Sequence, residues 1–168
     1  MTLEDEITEI KKKLAEHDKR IQQLEKIPVK EIKLAERLIG SKNGLTRLPE
    51  KAGVSEENIK KVYDLEHNSF TIVKIFGEDD REKTKNTTLL VLLGYKYIFG
   101  NDEVLSQEIR RNVAENKIPL DNFSTHLKQI TPSLIRRKGK MRSPKTTYRL
   151  TTLGEANAKD LLKKTCTG

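Results

Sequence analysis

Sulfur and large aromatic side chains are scarce in this chain. Its 168 residues include one cysteine, Cys166, no tryptophan, four tyrosines and four phenylalanines. A single thiol cannot build a disulfide framework or a cysteine-rich metal centre, so a reducing compartment is expected. Long apolar runs are missing as well. The longest, LLVLLGYKYIF from Leu89 to Phe99, contains Lys96 and is about half the length that spans a bilayer. The opening MTLEDEITEI is acidic and lacks the apolar core of a secretory signal. Together these absences predict a cytoplasmic protein with no membrane partner.

Catalytic signatures are also absent. His17, His67 and His126 fall in three different parts of the chain, and no phosphate-cradling glycine loop, metal-ligand spacing or nucleophile elbow occurs. The acidic cluster Asp79, Asp80 and Glu82 lacks the ligand spacing of a calcium loop. No enzyme activity, cofactor or metal site is expected.

Negative charge is missing from one segment only. The chain carries +8 overall; residues 1–121 sum to −1, residues 122–154 hold eight Lys and Arg with no Asp or Glu, and residues 155–168 sum to +1. Cations without local acids attract phosphate, whereas evenly mixed charge merely solvates a surface. Most of this excess lies in LIRRKGKMRSPKTTYRL, residues 134–150, which reads as two short strands around a turn.

The organised segments begin with heptads. Leu3, Ile7, Ile10, Leu14, His17, Ile21 and Leu24 repeat at intervals of 4 and 3, the seam of a coiled coil that Pro28 ends. Flanking positions pair Glu6 with Lys11, Lys13 with Asp18, and Arg20 with Glu25, all opposite in sign. In a parallel homodimer each pair would meet across the seam, which favours that state over an amphipathic helix docked on the chain's own body. Residues 1–27 are therefore expected to form a coiled-coil helix that dimerises through residues 3–25.

Residues 29–77 read as a small unit of the helix-turn-helix type. VKEIKLAERLIG gives one helix, LTRLPEKAGVSEENIKKVYDL gives two more around Ala52-Gly53-Val54, and SFTIVKIF alternates like a strand. Ser55 caps the later helix, and Ile59, Val62 and Leu65 are its core face. Its outer face, Glu56, Glu57, Lys60, Lys61 and Asp64, is a poor surface to press on phosphates, so a structural or protein-binding role is expected. Pro49 implies that the helix before it is short or starts there. GEDDREKTKN, residues 77–86, is all polar or charged after its glycine, and residues 78–86 read as a linker.

The remaining residues, 87–168, carry the functional signal. A buried helix starts near Thr88, EVL at 103–105 suits a short strand, and SQEIRRNVAEN is a helix capped at Ser106 with Ile109 and Val113 inward. A third helix has Asp121 as its cap and Leu120, Phe123, Leu127 and Ile130 inward. The basic hairpin and a last helix containing Leu153, Ala156, Leu161 and Leu162 close the chain. This order, with YRLTTLGEANAKDLL running from strand into helix, resembles the winged helix-turn-helix superfamily over residues 87–164. The whole chain is similar to archaeal winged-helix proteins. The fold class expected is thus mainly α with a small β-wing.

That resemblance implies a third helix in the major groove and a wing against the DNA backbone or minor groove. Asn122, Thr125, His126 and Gln129 are the base-reading candidates, since Asn and Gln can bond adenine in pairs and Thr can meet a thymine methyl. Lys128, Arg136, Arg137, Lys138, Lys140, Arg142, Lys145 and Arg149 are the backbone candidates. If about five wing cations neutralise phosphates, log K should fall with log salt at a slope near −4.5 per protomer, at ~0.9 each. Duplex DNA is the partner expected, with a transcriptional regulator as the simplest role. A protein-interaction module, with the middle unit as a possible partner site, and an RNA-binding module are the alternatives. An acid-free wing is not required for the first, and the hairpin's lone aromatic, Tyr148, offers little stacking surface for the second.

Overall fold

The computed structural model describes residues 41–66, 69–140, 143 and 145–167, with side chains from residue 47 onward. The heptad segment, the helix expected at 29–40, His67 and Arg142 lie outside the described residues. Among the described residues, six helices and two small antiparallel sheets make a small α+β domain. They are α1 (Ser41–Ala52), α2 (Glu56–Lys60), β1 (Tyr63–Leu65), β2 (Phe70–Ile72), α3 (Asp80–Ile98), β3 (Val104–Leu105), α4 (Ser106–Glu115), α5 (Phe123–Ile130), β4 (Ile135–Lys138), β5 (Thr147–Leu150) and α6 (Thr152–Thr167).

Helix α3 is the axis of the domain. It is buried nearly all round from Thr84 to Tyr95 and packs against α1, α4, α5, α6, β2 and β5. Residues 80–86, expected as linker, are its first two turns. Asp79 caps the helix by accepting from the Glu82 N–H at 2.7 Å, and Glu82 accepts from the N–H of Glu78, the residue before the cap, at 3.0 Å. Both side chains satisfy backbone donors at the helix N-terminus, so the acidic cluster expected within a linker is a helix start. Thr84, Thr87 and Thr88 can be fully buried because each hydroxyl donates to a carbonyl four residues back, at 2.6, 2.7 and 2.7 Å. Polar composition therefore concealed a central helix.

The expected boundary between the middle unit and the C-terminal domain also dissolves. One apolar core runs from Leu48 through Ile59, Tyr63, Phe70, Leu90, Leu93, Ile109 and Leu127 to Leu162. Phe70 sits among Tyr63, Tyr95 and Phe99, with ring centroids 5.0, 5.0 and 5.9 Å away. Gly94 makes that insertion possible: a Cβ there would lie 2.6 Å from the Phe70 ring.

The helix-turn-helix outline at 41–65 is corrected in two places. α1 continues through Pro49 to Ala52, followed by Gly53 at φ +66, so the proline neither starts nor ends it. α2 has only five residues, capped as expected by Ser55, and Tyr63–Leu65 is a strand paired with Phe70–Ile72. The exposed edge of β2 is closed by α4. Asn112 accepts from the Ile72 N–H at 3.0 Å, Asn116 donates to the Ile72 carbonyl at 2.8 Å, and Arg111 donates to the Phe70 carbonyl at 3.2 Å. Side chains here finish a ladder that a third strand would otherwise continue.

In the C-terminal half, β3, β5 and β4 form one antiparallel sheet in that order. Val104 faces Tyr148, and Ile135, Arg136, Arg137 and Lys138 face Leu150, Arg149, Tyr148 and Thr147. Ile109, Val113, Phe123, Leu127 and Ile130 are buried as expected, while Leu120 is half-buried. Both expected caps shift by one residue: Leu105 precedes α4, Asn122 precedes α5, and neither helix has a side-chain cap. In α6 the buried positions are Gly154, Ala158, Leu162 and Thr165, leaving Leu153 and Ala156 exposed.

Candidate nucleic-acid interface

Strands β4 and β5 form the expected basic hairpin, with its described charges outside. Gly139 at φ +100 turns the chain, Ser143 donates its N–H to the Lys140 carbonyl at 3.1 Å, and Thr146 donates to the Ser143 carbonyl at 3.0 Å. The Thr146 hydroxyl also bonds the Lys140 carbonyl. Ile135 and Tyr148 are buried, whereas Arg136, Arg137, Lys138, Lys140, Lys145 and Arg149 are all exposed.

Strand alternation divides these cations between faces. Arg137 shares the inner face with Tyr148, beside the core. Arg136, Arg149 and Lys138 share the outer face with Thr147. One acid reaches that face from outside the basic segment. Glu103, just before β3, bonds Lys138 at 3.0 Å and the Thr147 hydroxyl at 3.2 Å. The Lys138 hydrogen bond holds the Glu103 carboxyl below its ordinary value, and the Arg149 charge contributes at longer range. Among the described residues no other wing cation has an acid within ion-pair distance. The segment is thus acid-free in sequence but not wholly in space.

Helix α5 presents Thr125, Lys128 and Gln129 to solvent, and Asn122, the residue before it, is exposed beside them. These lie on the face away from Phe123, Leu127 and Ile130, so the structure brings four of the expected residues together. His126 turns elsewhere. It is half-buried against α3, with Nδ1 3.3 Å from the Thr84 Oγ1. Thr84 already directs its hydrogen to the Asp80 carbonyl, so Nδ1–H is the donor in this contact. His126 therefore positions α5 on α3 and has at most its other edge to offer a ligand.

Sequence reasoning missed two members of this surface. Arg110 on α4 is exposed and stacks over the Phe123 ring at 5.0 Å, placing a cation beside the start of α5. Its outward register opposite Ile109 and Val113 was the available signal. Glu103 had no local signal, since its partners lie 35 and 44 residues away.

The root of the wing is clamped by the α6 start. Thr151 donates its N–H to the Leu134 carbonyl at 3.0 Å and its hydroxyl to the Ser133 carbonyl at 2.7 Å, and accepts from the Gly154 N–H at 3.0 Å. Ser133 and Leu134, which lead into β4, are thereby fixed to the residue that opens into α6. Nearby, Glu155 receives Lys96 at 2.7 Å, Lys159 at 2.5 Å and the Tyr97 hydroxyl at 2.5 Å. Burial pushes its carboxyl up, but these three bonds outweigh burial and bring it down to about 2.

Elsewhere, an open cleft of about 700 Å³ lies between α3 and α6, with Phe76, Leu89, Leu134 and Leu161 among its apolar walls. Among the described residues no helix is long and apolar enough to cross a membrane, and no cluster of three His, Cys, Asp or Glu side chains could hold a metal. No protein-family model, no curated protein and no solved structure matches the chain.

Proposed function

We propose that this protein binds duplex DNA through a winged helix-turn-helix domain at residues 87–164 and acts, as a dimer, as a cytoplasmic transcriptional regulator associated with the nucleoid. The observation that carries the reading is the wing: six described cations are exposed on one hairpin, and one of them, Lys138, has an acidic partner. The sheet order β3-β5-β4 and the passage from β5 directly into α6 support the winged-helix assignment. The exposed amide and hydroxyl side chains of α5 support a groove-reading role for Asn122, Thr125 and Gln129, with cations on the wing and at Arg110 and Lys128 fixing the helix on the phosphates.

The heptads of residues 3–25 support a parallel homodimer. Joining two modest binding modules makes the second contact intramolecular, a gain of ~10² or more at an effective concentration of order mM. A parallel pair also implies a pseudo-palindromic site. Replacing Arg136, Arg137, Lys140 and Arg142 by Ala should lower duplex affinity and flatten its salt dependence while the fold stays intact. An unchanged affinity and slope in a folded variant would contradict the proposal. A second reading, a protein-docking module, is favoured by Leu105 and Leu153, which are 44% and 59% exposed. Under that reading the same variant would bind DNA no differently from the parent protein.

A further inference from the structure

Arg136 and Arg149 are direct cross-strand neighbours on the outer face of the wing. Residues so placed have Cβ atoms ~5 Å apart, and like charges in this position repel. An acid between them would relieve the repulsion, but the only acid that reaches this face among the described residues is Glu103, whose hydrogen bonds go to Lys138 and Thr147 and whose charge reaches Arg149 only at longer range. Both guanidinium groups are exposed, and neither has an ion pair among the described residues. Beside them lies an open concavity of about 470 Å³, which Ser133 and Thr152 also line.

We propose that Arg136 and Arg149 form a single phosphate-binding unit at the root of the wing, both guanidinium forks holding one backbone phosphate of the duplex. This rests on the reading of the domain as a DNA binder and adds to it which wing cations act together. An arginine fork offers two parallel N–H donors to an oxyanion, and a tetrahedral phosphate has oxygens enough for two forks. Lys138, two residues along the same strand and same face, is excluded from the unit because Glu103 occupies its ammonium. The wing thus has a paired site at its root and single cations, Lys140 and Lys145, near its tip.

The test is the slope of log K against log salt for the full-length protein on a random duplex, measured for wild type, R136A, R149A and the double variant. Each neutralised phosphate contributes about 0.9 to the slope. With one shared phosphate, either single variant weakens binding yet keeps a slope near that of wild type, because the remaining arginine still covers the phosphate. The double variant then loses about 0.9. Two independent contacts would instead remove about 0.9 in each single variant and about 1.8 in the double, which overturns the inference. So would a slope lost entirely in one single variant, or no loss in the double. Absence of any salt-dependent duplex binding by wild type would remove the DNA-binding reading itself, and this inference with it. Both side chains are exposed, and thermal melts of the variants should match or exceed wild type once the repulsion is relieved.

Discussion

Replacing Gly154 by Ala puts two physical effects in direct opposition. Gly154 is the third residue of α6, and by helix propensity alone Ala should stabilise the protein by ~1 kcal/mol. The packing argues otherwise. A Cβ at residue 154 would sit 1.8 Å from the Leu134 carbonyl oxygen and 2.7 Å from its carbon. Both contacts are with backbone, so α6 and the segment before β4 would have to separate by more than about 1 Å to restore van der Waals distance. That movement strains the two bonds by which Thr151 holds the Leu134 and Ser133 carbonyls. At ~1 kcal/mol each they total about 2 kcal/mol, leaving a net loss of roughly 1 kcal/mol after the propensity gain. For a chain of this size the melting temperature should fall by roughly 2–4 °C. Urea denaturation and thermal melts followed by circular dichroism would measure it, with exposed Leu153→Ala as a neighbouring control expected within ~0.5 kcal/mol of wild type. A G154A variant as stable as wild type, or more so, would refute the close approach and with it the clamp at the wing root.

Three further outcomes follow from the same structure. Glu103→Gln should release Lys138 to the phosphates, steepening the salt slope by about 0.9 and raising duplex affinity roughly fivefold at physiological salt; filter binding or anisotropy with an unchanged slope would contradict it. Asn112 is fully buried and satisfies the Ile72 N–H, so Asn112→Leu should cost about 1–3 kcal/mol in urea melts by leaving that donor unpaired. Glu155 has a folded carboxyl held at about 2, below its unfolded value. Its contribution is therefore fully present above about pH 4.5 and is lost as pH falls toward 2, at most ~1–2 kcal/mol after solvent screening; in Glu155→Gln that part of the acid sensitivity should vanish.

Much of the C-terminal half was legible in its residues because its elements are amphipathic and short. Phe123, Leu127 and Ile130 mark one face of α5 by spacing alone, and Gly139 announces the wing's turn. What stayed hidden depended on distant partners. The first turns of α3 are polar, and their burial relies on threonine hydroxyls returning to their own helix, which hydropathy does not register. β1 follows α2 after two residues and becomes a strand only because Phe70–Ile72 pairs with it. The expected boundary near residue 78 failed for a related reason: Phe70, from the middle unit, fills a gap left by Gly94 in the C-terminal half. At the candidate site, charge located the exposed basic hairpin of β4 and β5, since exposed cations need no tertiary partner to be counted. Tertiary contact decided the exceptions, turning His126 toward Thr84 and bringing Glu103 to Lys138.

The most direct test of the DNA-binding reading is equilibrium binding of the full-length protein to a labelled random duplex across a salt series, with a matched RNA duplex alongside. The reading predicts preference for DNA and a slope of log K against log salt near −4.5 per protomer, from about five phosphate contacts. Binding that is absent at physiological salt, independent of salt, or stronger to RNA would contradict it.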